Sequence, residues 1–177
     1  MSTLEVNTIN PQSGTTITIG GSGDTVSLGS GATQSGFGGT NTPAFLAHCA
    51  TTNPSVPSGT TTKVVFDAEE YDSDNCYDTS TGRFTPTVAG KYLFLTCIEW
   101  GSGSNGVLIM QIYKNGSLVK KIIHNDVRTL SGSGGSIVDM NGTTDYVEIY
   151  VYQGSGTTWV ADNASERTWF QGFRLVE

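Results

Sequence analysis

Basic residues are scarce. Nine lysines and arginines stand against sixteen aspartates and glutamates in 177 residues, a formal charge of −7. Neutralising phosphates takes clustered cations, so this balance argues against a nucleic-acid partner. Charged residues of both signs make up only 14%, too few for a coiled coil or a highly charged tail. No apolar run approaches the ~20 residues of a membrane-spanning helix, so no membrane insertion is expected. The opening MSTLEVNTIN has no basic stretch followed by an apolar core, so no secretory signal is read there. Cysteine is limited to Cys49, Cys76 and Cys97. An odd number at wide spacing is neither a disulfide framework nor a CxxC metal site. Free thiols, folded in a reducing cytosol, are the expectation.

Catalytic patterns are missing too. His48 and His124 are isolated, and His48 reads as a core or interface residue. There is no Gly-x-Ser-x-Gly elbow, no phosphate-binding glycine loop and no His-x-x-x-His pair. No two carboxylates single themselves out as a glycosidase pair. The acidic run Asp67, Glu69, Glu70, Asp72, Asp74 and Asp78 lacks the calcium-loop spacing of Asp-x-Asp-x-Asp-Gly with a later Glu, and reads as a solvated loop. Three Asn-x-Ser/Thr sites, at Asn115, Asn141 and Asn163, are incidental without secretion. The chain is therefore read as a noncatalytic protein with no cofactor and no metal.

What is present is glycine, 23 residues of it, and the period of β-strands. Two regions differ. Residues 1–41 are rich in Thr, Ser and Gly, with Phe37 as their one aromatic. Leu4 and Val6, then Ile17, Ile19, Val26 and Leu28, alternate with polar residues as a strand does. Ile17–Leu28 reads as a hairpin around a glycine-rich turn, followed by a linker over 30–42. A lone hairpin is marginal in water, so its few apolar side chains need copies of the chain or another protein to pack on. Residues 42–177 form a second domain of dense β pattern. Strands are expected over 44–50, 61–68, 83–85, 90–100, 107–114, 117–125, 136–140, 146–153 and 168–176. Asn115-Gly116 and Asn141-Gly142 lie between strands, where Asn-Gly suits tight hairpin turns. Many short strands imply a closed sandwich or barrel.

The span Phe66…Asp72…Tyr77…Phe84…Gly90-x-Tyr92-x-Phe94 resembles the signature of the C1q/TNF-like globular domain. Ala44-Phe45 at the first strand and Trp169-Phe170-Gln-Gly-Phe173 at the last agree with it, over roughly residues 43–177. Thr96 departs, standing where an aromatic is common. The resemblance implies an all-β, ten-stranded antiparallel jelly-roll sandwich that forms homotrimers. The leader Thr3-Leu-Glu-Val-Asn-Thr-Ile-Asn-Pro-Gln-Ser-Gly-Thr-Thr-Ile-Thr-Ile19 is similar to those of tailed-bacteriophage fibre and appendage proteins. That likeness implies a β-rich stalk or anchor that docks to other virion proteins, with Leu4, Val6, Ile9, Ile17 and Ile19 as docking candidates. It also implies a virion location after assembly in the host cytoplasm.

Strand faces carry the trimer argument further. Tyr92, Phe94 and Ile98 share one face of their strand, and Leu93, Leu95 and Cys97 the other. Apolar character on both faces implies burial on both, and the second face is assigned to subunit contact. Tyr146, Tyr150 and Tyr152 alternate with Val147, Ile149 and Val151 in the same way. Tyr92, Phe94, Tyr146, Tyr150 and Tyr152 are therefore the interface candidates, aromatics being enriched in such contacts.

In an antiparallel sandwich the connections alternate between two ends. The longer ones, over 53–60, 101–106, 126–135 and 154–167, fall at the end remote from the leader. Loops on a rigid scaffold are the usual seat of recognition. Receptor-binding candidates are therefore Trp159, Asp162, Asn163, Arg128, Trp100 and Asn105, a tryptophan stacking on a sugar and the polar groups bonding its hydroxyls. The function expected is a trimeric tail-fibre or spike-type protein whose C-terminal knob attaches to a host-surface glycan or protein. The alternatives are a decoration or joining protein of capsid or tail that binds no receptor, and a bacterial extracellular adhesin of the C1q type.

Overall fold

The computed structural model describes residues 8–32, 41–102, 105–125 and 131–175. The chain forms two compact units, Met1–Gly38 and Gly39–Glu177. In the first, Ile17, Ile19, Val26 and Leu28 are exposed and no strand forms over residues 8–32. A turn closes at Gly21–Asp24, where the Gly21 N–H donates to Asp24 Oδ2 at 2.6 Å. The hairpin expected over Ile17–Leu28 is thus absent from the single chain. Its apolar side chains have nothing to pack against, and turn bonds alone do not offset the entropy of ordering two strands. Leu4, Val6 and the linker residues 33–40 lie outside the described residues.

The second unit is all strand. The strands are β1 (Ala44–His48), β2 (Ser55–Val56), β3 (Thr62–Val64), β4 (Ala68–Asp72), β5 (Tyr77–Asp78), β6 (Arg83–Phe84) and β7 (Gly90–Ser102). They continue as β8 (Leu108–Lys114), β9 (Ser117–Asn125), β10 (Ser131–Met140), β11 (Val147–Gln153), β12 (Trp159–Ala161) and β13 (Trp169–Arg174). They build two antiparallel sheets. In the first, β7 pairs with β10 on one side, and β13, β1 and β4 follow on the other, with β12 and β2 at the end of β7. The second runs β5-β6-β11-β8-β9, with β3 also on β11. This is the expected jelly-roll sandwich. The surplus over ten strands lies among five segments of two or three residues.

Two readings change. The single strand expected over 61–68 is two. Thr62–Val64 joins one sheet and Ala68–Asp72 the other, so the chain crosses between sheets at 65–67. Asp67 fixes the crossing by accepting from the N–H of Ala50 at 2.7 Å and of Thr52 at 2.9 Å, and from the Thr51 hydroxyl. The second change is β10, which starts at Ser131 rather than Ser136. Ser131-Gly-Ser-Gly-Gly135 has loop composition, yet pairs along Glu99–Leu95. A Cβ on Gly135 would run into the Phe94 carbonyl oxygen, so glycine there lets β10 lie against β7.

The core is aromatic. Phe45 stacks on Phe84 at 4.5 Å and on Tyr77 at 4.9 Å, and meets Phe170 edge-on at 4.9 Å. Phe66, Tyr92 and Phe94 complete the cluster. Such pairs contribute about 0.5–1.5 kcal/mol each beyond their buried area. Tyr92 and Phe94 are fully buried within their own subunit, which corrects their assignment to a subunit interface. Their rings fill the gap between the sheets, and it is Leu93, Leu95 and Cys97 that face outward. Thr96, also buried, donates its hydroxyl to the Trp169 carbonyl at 2.8 Å, a bond phenylalanine could not make. Gly172 lies under the rings. A Cβ there would be 2.6 Å from Phe94 Cδ1 and 3.0 Å from Phe45 Cε1.

Turn chemistry holds the ends. Asn115 and Gly116 both take positive φ, as a type I′ hairpin requires. Asn141 does not. Its side-chain oxygen accepts from the N–H of Thr143, Thr144 and Asp145 at 2.9–3.0 Å. Asp78 Oδ1 accepts from the Ser80 N–H at 2.8 Å and hydroxyl at 2.6 Å. These bonds, with those from Thr81, lower its carboxyl from 3.8 to about 2. All three cysteines are free, Cys49 and Cys76 buried and Cys97 half-buried. Burial, with Asp67 beside it, pushes the Cys49 thiol up to about 12.

Gly172→Ala should destabilise the knob by about 1–3 kcal/mol through overpacking, measured by denaturant unfolding with an unchanged slope. A carboxyl depressed on folding adds stability that is complete above its unfolded value and lost as pH falls through its folded one. The Asp78→Asn protein should therefore lose less stability than the parent between pH 4 and pH 2, seen in parallel melting curves.

Candidate functional site

One end of the sandwich is built by loops that bond to one another. The Gly154 N–H donates to the Val107 carbonyl at 2.9 Å, and the Gly156 N–H to Ser58 Oγ at 2.8 Å. Asn53 Nδ2 donates to the Ala161 carbonyl at 2.9 Å. The opposite end gathers the tight turns and the chain entry, where the Arg174 N–H meets the Pro43 carbonyl and its Nε the Ala89 carbonyl, both at 3.1 Å. The connections over 53–60 and 154–167 thus meet at one end of the sandwich.

Their side chains do not present a sugar-stacking surface. Trp100 is 2% exposed and Trp159 is 1% exposed, their ring centroids 5.5 Å apart. Beneath them, wholly buried Gln153 donates to the carbonyls of Val56 at 2.9 Å and Thr157 at 2.6 Å. The two indoles are the small core of the loop end, which corrects their reading as receptor-contacting rings. Asp162 accepts from Arg167 Nη1 at 2.9 Å and the Ala164 N–H at 3.1 Å. Asn163 Nδ2 reaches the Ala50 carbonyl at 3.3 Å. Asn105 is exposed, and Arg128 lies outside the described residues.

The outward faces of the two sheets carry more. On the first, strand registers align Ala44–Phe173–Leu93–Ile137, then Tyr71–Leu46–Gln171–Leu95, then His48–Trp169–Cys97. Ile137 is 50% exposed and Tyr71 49%, and Leu46, Leu93, Leu95, Trp169 and Phe173 are half-exposed. The face is largely apolar across five strands, with Gln171 and His48 among its leucines and rings.

The second sheet shows a different chemistry. Tyr150 and Tyr152 of β11, and Tyr146 just before it, lie on the outward side, half-exposed. Tyr113 of β8 lies against Tyr150 at 4.2 Å, and the Arg83 guanidinium sits 4.1 Å over the Tyr146 ring. Between them Glu148 is 1% exposed. It accepts from Arg83 Nε at 2.9 Å, Lys63 Nζ at 3.2 Å and the Tyr150 hydroxyl at 3.4 Å. Its hydrogen bond to Arg83 raises the guanidinium pKa, and burial followed by the Glu148 charge raises that of Tyr150. Lys63, Arg83, Gln111, Tyr113 and Glu148 were not singled out from the sequence. The available signal was an acid at the centre of a tyrosine alternation, and only a buried partner makes it informative. Among the described residues, no group of three His, Cys, Asp or Glu side chains could hold a metal ion. Asp72 and Asp78 instead accept backbone hydrogens of their own loops, and Asp67 those of the loop after β1.

Trp159→Ala should cost about 3–5 kcal/mol as a cavity mutation, measured by thermal unfolding. Asp162→Ala, on a half-exposed loop ion pair, should cost under ~1 kcal/mol.

No curated protein matches the chain by sequence. Among solved structures, the globular domain of zebrafish complement 1qA superposes with a TM-score of 0.53 at 21% identity, covering 75% of this chain and 96% of that one. Murine APRIL gives 0.55 at 7% identity, covering 75% and 98%. The PRD1 vertex protein P5 gives 0.59 at 12% identity, covering 77% and 99%. At these identities the likeness concerns the fold. A sequence model of the C1q domain matches residues 44–175, most of the chain and all thirteen strands, and the chain therefore belongs to the C1q domain family.

Proposed function

We propose that this chain is a noncatalytic virion protein of the tail-fibre or spike type, which trimerises through the outward face of the first sheet and attaches to a host surface with its knob. The observation that carries the trimer is the apolar surface built by Leu46, Leu93, Leu95, Trp169, Phe173 and Ile137. A contiguous apolar face of this kind marks an interaction site, and obligate interfaces resemble a domain core cut in half. C1q/TNF-like domains are typically homotrimers, which supports three copies over two. Tyr92 and Phe94 have no part in this contact. The virion reading is supported by the leader's likeness to phage appendage proteins and by the fold shared with a phage vertex protein.

Residues 1–41 are the docking region in this reading. Ile9, Ile17 and Ile19 are exposed and gain a place to pack when they meet another virion protein. Three copies also multiply weak surface contacts by avidity. The vertex-protein likeness favours one alternative as well, a decoration or joining protein that needs no receptor.

Sedimentation equilibrium at micromolar concentration should give three times the 18.7 kDa chain mass, and Leu95→Lys should give monomers that retain strand circular dichroism. A monomeric parent protein would remove the trimer. Immunogold labelling of intact particles should place the chain on the virion surface. Labelled trimers that bind susceptible but not resistant cells distinguish attachment from decoration.

A further inference from the structure

The outward face of the second sheet is unlike the proposed trimer face. One register row crosses four strands as Lys63 (β3), Tyr150 (β11), Gln111 (β8) and Lys121 (β9). Directly opposed residues of antiparallel strands point to the same side. Val64, Ile149, Met110 and Ile112, one step along their strands, are core, so this row points outward. Neighbouring rows add Tyr113 and Tyr152. Three strand spacings separate the lysines, about 14 Å between backbones. The row therefore has a cation at each end and an aromatic and an amide between.

Two features mark the row as incomplete. Gln111 is 6% exposed, and its Oε1 has no hydrogen-bond partner. A buried acceptor without a donor costs about 1–3 kcal/mol. The other feature is charge. Lys63, Arg83 and Lys121 face outward here against Glu148 and the edge residue Asp78. Glu148 is buried beneath two of the cations, and the Asp78 carboxylate is engaged by Ser80. The face is cationic on a chain of net charge −7, so its charge is local and opposite to that of the whole.

We propose that this row binds an acidic polysaccharide. A sugar ring lies on Tyr150 and its neighbour Tyr113, a hydroxyl donates to Gln111 Oε1, and carboxylate or sulfate groups meet Lys63 and Lys121. Each part of the ligand answers one part of the row. A bare anion has no hydroxyl for the amide, and a neutral glycan leaves the lysines unused. Lys63 keeps donor capacity for this role, since an ammonium has three donors and Glu148 takes one. The proposal rests on the attachment reading above and names the ligand class and the face. It moves recognition from the loop tip to the sheet, and Tyr150 and Tyr152 from subunit contact to ligand contact.

The test is affinity electrophoresis and calorimetry of the full-length protein against polygalacturonate, hyaluronan and dextran sulfate, with neutral dextran and poly-L-glutamate as controls. Retention by at least one acidic polysaccharide and by neither control is expected. Binding should weaken as salt rises. Lys121→Gln, at an exposed position, and Tyr150→Ala should each weaken binding at least tenfold, while circular dichroism and trimer mass stay unchanged. If Tyr150→Ala unfolds, Gln111→Ala takes its place with the same expectation. No retention by any acidic polysaccharide overturns the proposal, as does equal retention by poly-L-glutamate or full binding by the Lys121 variant. A protein that sediments as a monomer yet binds would remove the trimer and leave this site standing. A trimer that does not bind would do the reverse.

Discussion

Phe45 is the ring on which the sandwich turns. It stacks on Phe84 and Tyr77 from the second sheet and meets Phe170 of the neighbouring strand β13. Face-to-face sheets sit about 10 Å apart, and interlocked rings fill that gap with large rigid groups. Gly172 is the counterpart of this packing, because a Cβ there would strike two of the rings. Once the aromatic side of β7 is committed inward, the parity of every paired strand is set. Leu93, Leu95 and Cys97 must then face out, and the registers carry that choice to Leu46, Trp169 and Phe173.

The same commitment gives the molecule two outward faces of opposite character. One is apolar over five strands, suited to being covered by copies of itself. The other sets tyrosines, lysines and an arginine around a buried glutamate, suited to a polar, charged ligand. An obligate interface would have to desolvate the Glu148–Arg83–Lys63 group further, at a cost that mutual attraction repays only with complete hydrogen bonding. The apolar face carries no such cost. The two faces thus differ in what solvation allows them to bury, and the groups of the loop end bond among themselves.

Much of the fold was legible in the residues. Phe66, Tyr77, Phe84, Tyr92 and Phe94 stand at the spacings of the C1q/TNF-like signature they resemble, and all five are core. Asn115-Gly116 turns as its sequence says. The site was less legible. Trp159 stands in a polar, glycine-rich loop and reads as exposed, yet it pairs with Trp100 under the loops. Glu148 reads as a wet position and is nearly sealed by two cations that lie 65 and 85 residues away in sequence. The Ser-Gly stretch opening β10 reads as a loop because local propensity cannot see the Phe94 backbone that demands glycine at 135.

The sequence by itself determined that this chain is a β-sandwich of the C1q kind, that its strands have two unlike faces, and that a leader of different composition precedes them. These are local matters of period, turn chemistry and residue size. Only the tertiary structure decided which face looks inward, where the tryptophans go, and which tyrosines meet lysines across four strands. Alternation fixes that two faces exist. The partner sheet, by offering one of them an escape from water, decides which is buried.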